Sequence, residues 1–365
     1  MDLYIGVMSG TSMDGVDAVL VEFSEGKVNE LGFCSVGFPD DLKNDLQNMV
    51  STGIINLEKL GEMDHRLALV YARCINRLLV ETGYECSLVK AIGCHGQTVF
   101  HAPRAKYPFT MQIGDGNIVA AKTGIPTITD FRRMDMAYGG QGAPLACGFH
   151  QYYLNSNDEK RAILNLGGIA NITILSTDYD NVTGFDTGPA NCLMDSWIQH
   201  CEVLPFDRDG DWARSGNVIY TMLQQMLREP YFAQKAPKST GRELFNISWL
   251  EKYLQGNFYQ NQDIQATLLE LTAKTVADAI VDYDIEAIYT CGGGAKNKYL
   301  LERLSYYLPK IEINTTQALG ISVQHVEAIA FAWLAQRRFL MLPGNLPSVT
   351  GAGNNAVLGN LYLPA

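Results

Sequence analysis

An α/β fold assembled twice is what this sequence predicts, and three observations carry the prediction. Residues 4–23, YIGVMSGTSMDGVDAVLVEF, place a Gly/Ser/Thr/Asp turn between two apolar runs. The same plan returns at Arg161, where RAILNLGGIANITILS wraps two apolar runs around a Gly-Gly turn. Farther on, IEAIYTCGGGAKNKYLLERLSYYL reads as a buried strand, a three-glycine turn and a helix. The repeat lies in the plan and not in residue identity. It predicts two halves, each opening on a hairpin whose turn faces a common cleft.

The elements follow in order. Strands are expected at Leu3 to Val7 and Val16 to Phe23, enriched in Val, Leu and Phe. Residues 57–82 carry apolar residues at three- and four-residue steps, an amphipathic helix. LVKAIGCHGQTVFH reads as a short buried strand running into a polar turn. GDGNIVAAKTGIPTITDF reads as a helix closed by Gly124, then a strand beyond Pro126. In the second half, helical periodicity is expected from Ala190 to before Pro205, in VIYTMLQQML, from Asp263 to Tyr283, and in SVQHVEAIAFAWLAQRRFL. The Gly/Pro/Asn-rich tail is expected to pack as extended chain and turns.

Composition narrows the function. The chain has 365 residues, enough for one or two domains with a sizeable core. Its net charge is −11 and its densest basic spot, DFRRMD, is flanked by acids. That argues against polyanion binding and leaves room for a small anionic ligand held by local groups. Eight cysteines without CxxC spacing point to reduced thiols rather than zinc or disulfides. Asp2 stands where a signal peptide would be basic, and no apolar segment reaches bilayer length, so a cytoplasmic chain is expected.

Three glycine turns concentrate the candidate chemistry. In SGTSMDGVD, Gly10, Thr11, Ser12 and Gly15 supply close backbone approach, N–H donors and hydroxyls suited to phosphate. Asp14 and Asp17 would repel phosphate unless a cation such as Mg²⁺ intervenes through water. An ordinary type I′ hairpin explains the same residues equally well. Gly167 and Gly168, and Gly292 to Gly294, are weak signals singly; together the three turns favour a nucleotide cleft. Asp186, in GFDTGPANCLMD, is either a general base or a helix cap. His95, Gln97 and Thr98 form a polar strand end suited to a hydrophilic ligand. Arg132 could pair with a substrate carboxylate or with neighbouring acids. Glu327 lies in an otherwise apolar helix.

These motifs, in this order, resemble the anhydro-N-acetylmuramic acid kinase family. The resemblance runs through MSGTSMDGVDAVL, CHGQTVFH, QIGDGN, DFRRMDMAYGGQGAPL, NLGGIANIT, GFDTGPANCLMD, KSTGRELFN and GGGAKN. It implies the two-domain fold of the sugar kinase, heat-shock ATPase and actin superfamily, each domain a mixed five-stranded sheet flanked by helices. The expected domains are 1–130 plus 340–365, and 131–339, with the active site in the cleft between them. It implies ATP and Mg²⁺, with the segment Gly10, Thr11, Ser12, Met13, Asp14, Gly15, Val16 and Asp17, then Gly167, Gly168, Gly292, Gly293 and Gly294, on the nucleotide. Asp14 and Asp17 would orient metal waters.

The implied reaction opens the 1,6-anhydro bridge of the sugar with water and phosphorylates O6, in cell-wall recycling. Asp186 would be the base, and His95, Gln97, Thr98, Arg132 and Glu327 the sugar contacts. A homodimer fits the resemblance; nucleic acid and membrane partners do not. The rival readings are a kinase for another sugar or for a carboxylate such as acetate, and an actin-like or chaperone-like ATPase switch. The polar residues His95, Gln97, Thr98 and Arg132 favour the kinase.

Overall fold

The computed structural model describes residues 2–10, 13–24, 26–256 and 258–365. Its strands are β1 (Leu3–Met8), β2 (Gly15–Ser24), β3 (Lys27–Gly37), β4 (Val89–Cys94), β5 (Gln97–Ala102), β6 (Phe109–Ile113) and β7 (Thr127–Thr129). They continue with β8 (Arg161–Leu166), β9 (Ile169–Ile174), β10 (Thr183–Pro189), β11 (Ala287–Cys291), β12 (Glu312–Thr315) and β13 (Asn360–Tyr362). The chain forms two compact units, residues 1–154 with 325–365, and residues 155–324. Each has its own apolar core.

Unit 1 carries a six-stranded sheet in the order β13-β7-β4-β1-β2-β3, not the five strands expected, because the C-terminal β13 adds to β7 at its edge; β5 pairs with β6 as a separate ribbon. β1, β2 and β3 are antiparallel neighbours, whereas β4 runs parallel to β1 and β7 parallel to β4. The helix Leu57–Thr82 covers this sheet with Met63, Leu67, Tyr71, Ile75 and Leu78, all buried and spaced one turn apart. Asn56 caps its start by accepting from Lys59 N, and Gly83 closes it in the left-handed conformation at φ 74°. The helix Asp40–Thr52 was not expected. Its polar sequence hides a stripe of only three buried residues, Leu42, Leu46 and Met49.

The helix Val326–Phe339 belongs to unit 1, and two glycines explain why. A Cβ on Gly6 of β1 would overlap the Ala328 carbonyl, and one on Gly93 of β4 would overlap the Phe331 carbonyl. Backbone therefore lies directly on backbone, which only glycine permits. This corrects the expected domain limits. The units part after 154 and 324, not after 130 and 339, because the helix starting at Val326 is seated on β1 and β4. Arg132 and Glu327 accordingly fall in unit 1.

Unit 2 carries a five-stranded sheet in the order β10-β9-β8-β11-β12. β8, β9 and β10 are antiparallel neighbours, while β11 runs parallel to β8 and β12 parallel to β11. The helices Asn191–Glu202, Asn261–Ile280 and Lys298–Tyr307 pack with it. Buried Glu270 takes a two-pronged pair from Arg303, at 2.7 and 2.6 Å, and a hydrogen bond from Tyr307 Oη at 2.5 Å. This charge is compensated by geometry, as a buried carboxylate requires.

All eight cysteines are free thiols, six of them buried. Among the described residues, no helix is long and apolar enough to cross a membrane.

Candidate functional site

The first glycine turn joins β1 to β2. Thr11 and Ser12 lie outside the described residues. On either side of them, Ser9 Oγ donates to Gln97 Oε1 at 2.5 Å, and Gln97 Nε2 donates to the Gly10 carbonyl at 3.3 Å. Met13, at φ 56°, closes the turn through its N–H to the Gly10 carbonyl at 3.2 Å. Gln97 is fully buried with both ends of its amide engaged. It therefore holds the turn and is not placed to touch a sugar, a correction to its expected role.

Met13 and Val16 also differ from expectation. Their side chains belong to the core of unit 1, so only their backbone is available to a nucleotide. Gly15 owes its identity to β3, because a Cβ there would overlap the Val36 carbonyl. Asp14 is exposed and paired with Lys43 at 2.6 Å. Asp17 lies on β2, where its charge raises the pKa of Glu327. Of the two, Asp17 is the carboxylate without a cation partner among the described residues.

The second turn joins β8 to β9. Asn191 Nδ2 donates to the carbonyls of Leu166 and Gly167, both at 2.8 Å. The N–H groups of Ala190 and Cys192 close on the Gly168 carbonyl at 3.0 Å. A Cβ on Gly167 would meet nothing nearer than 3.6 Å, so its surface is open. Above Gly168 lies the Arg242 guanidinium, 3.5 Å from where a Cβ would stand. No carboxylate among the described residues pairs with it.

The third turn follows β11. Gly292, at φ 81°, and Gly294 have no room for side chains, being packed on Asn165, Leu166 and Asn191. Gly293 is exposed and open. It helps line a pocket of about 430 Å³ that also takes in Asn191, Phe206, Arg208, Lys296 and Gln324. That volume suits a nucleoside.

Asp186 resolves a choice that the sequence left open. The helix beginning at Asn191 has Ala190 at its cap position and no side-chain cap, so Asp186 is not a helix cap. It sits inside β10, where the register with β9 shifts between Asp186 and Gly188. Such an irregularity re-aims side chains next to active sites. Asp186 Oδ2 accepts from Thr240 N at 2.9 Å, and its backbone is held by Lys238 and Tyr231. Burial raises its pKa to about 7; the Thr240 N–H opposes this, Glu243 adds to it, and Lys238 opposes it. The Thr240 hydroxyl is buried with no hydrogen-bond partner among the described residues.

In unit 1 a second polar group forms around Arg132. Its Nη1 donates to the Gly142 carbonyl at 2.7 Å, and its Nη2 lies 2.8 Å from His95 Nε2. Burial, then the Arg132 charge, hold the His95 pKa well below the ordinary value, so the ring is neutral and accepts this bond. His95 is thus an orienting partner of Arg132, buried behind it, and not itself a sugar contact. Burial lowers the Arg132 pKa to about 10, against the charges of Glu327 and Asp135, so it remains a cation. Glu327 is reached by solvent, yet surrounding protein raises its pKa, with Arg132 opposing and Asp17 reinforcing. Thr98 is partly exposed and accepts from Gln112 Nε2 at 3.2 Å.

Lys238, Thr240 and Arg242 carried no role in the sequence reading. Their motif, KSTGRELFN, has neither the spacing of a metal site nor a glycine-turn pattern. Only the chain's return to β10 reveals them.

A family model described as anhydro-N-acetylmuramic acid kinase matches residues 2–364. The chain is 49% identical over 365 residues to an anhydro-N-acetylmuramic acid kinase of Aliivibrio fischeri, covering 99% of each. It is 50% identical over 361 residues to the protein of that name from Shewanella pealeana, covering 98% of each. Among solved structures, component A of the Acidaminococcus fermentans (R)-2-hydroxyglutaryl-CoA dehydratase aligns with a TM-score of 0.50 at 13% identity. That alignment covers 93% of this chain and 100% of the other, and it speaks to fold alone. The fold shared with it is α/β, with mixed sheets flanked by helices.

Proposed function

The chain belongs to the anhydro-N-acetylmuramic acid kinase family, and from that premise we propose how its residues share the reaction. The enzyme is a phosphotransferase with an alcohol acceptor, acting in cell-wall recycling. Asp186 is the general base. Its carboxylate takes a proton from water as the water oxygen bonds to C1 of the 1,6-anhydro sugar. The C1–O6 bond breaks with inversion, and the freed O6 attacks the γ-phosphorus of ATP while the bond to ADP breaks. The products are N-acetylmuramic acid 6-phosphate, ADP and the proton carried off by Asp186.

The observation that carries this reading is Asp186 itself: a carboxyl turned out of a strand irregularity, held by one N–H, with a pKa near 7. A base poised near the working pH combines the right protonation state with driving force. The Thr240 hydroxyl beside it, unpartnered among the described residues, is available to orient the water. Gly167, Gly168 and Arg242 meet the phosphates, Arg242 neutralising charge on the transferred group. The pocket next to Gly293 takes the nucleoside. In unit 1, Arg132, Glu327 and Thr98 recognise the sugar, with Arg132 matched to its lactyl carboxylate. The protein works in the cytoplasm.

Mg²⁺ is proposed as the companion of ATP. Among the described residues no three potential ligands cluster as a metal cage. An ion held mainly by phosphates and water needs only one or two carboxylates. Asp17, lacking a cation partner among the described residues, fits that demand better than Asp14, which Lys43 occupies. Bound there, Mg²⁺ would offset negative charge on the phosphates.

The test is to incubate the enzyme with ATP, Mg²⁺ and either the anhydro sugar or N-acetylmuramic acid, and to follow sugar phosphate by mass. One oxygen of ¹⁸O-labelled water should enter at C1 of the product from the anhydro sugar. Turnover of another sugar or of acetate, with none of the anhydro sugar, would refute the assignment.

A further inference from the structure

The loop 130–142 presents Arg132, and its internal wiring leads to a residue with no assigned role. Asp135 is a fully buried carboxylate. Its Oδ2 accepts from Gly142 N at 2.8 Å, and its Oδ1 accepts from Asn345 Nδ2 at 2.8 Å and Thr350 Oγ1 at 2.7 Å. Gly140 makes the room, since a Cβ there would overlap that same Oδ2. The loop is tied to the C-terminal segment twice more. Gln141 N donates to the Thr350 carbonyl, and Gly353 N to the Tyr138 carbonyl, both at 2.8 Å. Gly142, fixed at its N–H by Asp135, offers its carbonyl to Arg132 Nη1.

We infer that Asp135 is a positioning residue for Arg132, and that the C-terminal segment 345–353 serves sugar recognition by holding Asp135 in place. Two effects act together. Asp135 fixes the carbonyl that orients one edge of the guanidinium, while His95 fixes another edge. Its negative charge also helps the half-buried Arg132 remain a cation. A guanidinium held at two points loses little freedom on meeting a carboxylate, which is why preorganisation favours binding. The inference rests on the reading that Arg132 meets the sugar.

Thr350→Val tests it, because the side chain keeps its shape and loses the donor to Asp135, together with the longer contacts of the same hydroxyl to the Leu346 carbonyl at 3.3 Å and from Ala352 N at 3.4 Å. KM for the anhydro sugar should rise about tenfold, the scale of one lost hydrogen bond to a buried charge. KM for ATP should stay within about twofold, because a local loss at Arg132 does not reach the nucleotide. Thr350→Ser, which restores the hydroxyl, should recover the sugar KM. Added to Arg132→Ala, the Thr350→Val change should cause no further rise, as expected of residues acting through one another.

If Thr350→Val does not fold, as judged by its melting curve, Asn345→Ala removes the other donor to the same oxygen and should show the same split. An unchanged sugar KM in a folded variant, or equal rises for sugar and ATP, overturns the positioning role while leaving the kinase assignment intact. Should Arg132→Ala itself leave the sugar KM unchanged while the anhydro sugar is still phosphorylated, the sugar role of Arg132 and this inference fall together. Absence of any turnover of the anhydro sugar by the wild-type enzyme is the separate result that removes the kinase reading.

Discussion

Unit 1 and unit 2 use the same pairing scheme and put opposite chemistry on it. The order β3-β2-β1-β4-β7 in one matches β10-β9-β8-β11-β12 in the other, with antiparallel pairs followed by parallel ones in both. Unit 1 builds a half-buried cation, Arg132, kept charged by Asp135 and Glu327 and oriented by a neutral histidine. Unit 2 builds a carboxyl, Asp186, whose ionisation is held back by burial, which the charge of Lys238 only partly offsets. A stable cation suits fixed recognition of an anion; a carboxyl near its titration point suits moving a proton. The repeated fold sets where a turn lies, and the local dielectric and charge set what it can do.

The largest predicted effect breaks unit 2's side of that comparison. Asp186→Asn should lower kcat by about 10³-fold, within the range for loss of a general base. Calorimetry should show ATP still binding with near-normal affinity, since no phosphate contact is removed. Near-normal turnover would rule out Asp186 as the base. Arg132→Ala should instead raise the sugar KM with a smaller loss in kcat.

How much of this was legible beforehand depends on how local the cause is. The hairpins around Gly10 and Gly167, the helix 57–82 and the helix closed by Gly124 follow from apolar period and capping residues, and all are present. A base at Asp186 was only one of two options, because the strand irregularity that turns the side chain away from the helix start depends on pairing with β9. Gln97 and His95 looked like ligand contacts because polar residues at a strand end usually face solvent. Their partners, Ser9 and Arg132, are 88 and 37 residues away in sequence, a distance no local pattern reports. Gly6 and Gly93 fall within expected strands with no local signal for glycine, since a helix more than 200 positions onward supplies their reason.

Those glycines give the second prediction, which contrasts a filled glycine with an open one. Gly93→Ala would push a methyl group into the Phe331 carbonyl, which cannot yield as a flexible side chain could. It should destabilise unit 1 by about 3 kcal/mol or more, at the upper end for overpacking. Gly61→Ala, inside the helix 57–82 with open space around it, should be neutral or stabilising by up to about 1 kcal/mol. Urea midpoints measure both, and equal stability of the two variants would refute the packing argument.

A smaller effect is expected at Arg242. Its guanidinium lies over the open second turn without a carboxylate partner among the described residues, so its loss should cost the phosphate and not the fold. Arg242→Ala should lower kcat/KM for ATP by about 10- to 100-fold, as for a hydrogen-bonded charge on a phosphate. The melting temperature should move little, and an unchanged kcat/KM would return Arg242 to a solvated surface role.

The last prediction concerns stability against pH. The folded pKa of Asp186, about 7, stands above the roughly 3.9 of an unfolded aspartate. Between those values the folded state binds the extra proton, so stability falls as pH rises through that window. Above pH 7 the wild-type enzyme carries a partly buried, weakly compensated charge, and below about pH 4 it does not. Asp186→Asn removes that charge while its side-chain carbonyl can still accept from Thr240 N. The inactive variant should therefore melt a few degrees higher than wild type at pH 8, and the gap should close toward pH 4. Activity should run the other way, with kcat/KM rising with pH and levelling off above about 7 as the carboxyl ionises. Equal melting temperatures at pH 8, or a rate that falls with rising pH through this window, would show that Asp186 is not strained toward its protonated form. Unit 1's cation, charged throughout the same window, would then offer no contrast in titration. The division of labour between the two units would have to rest on position alone.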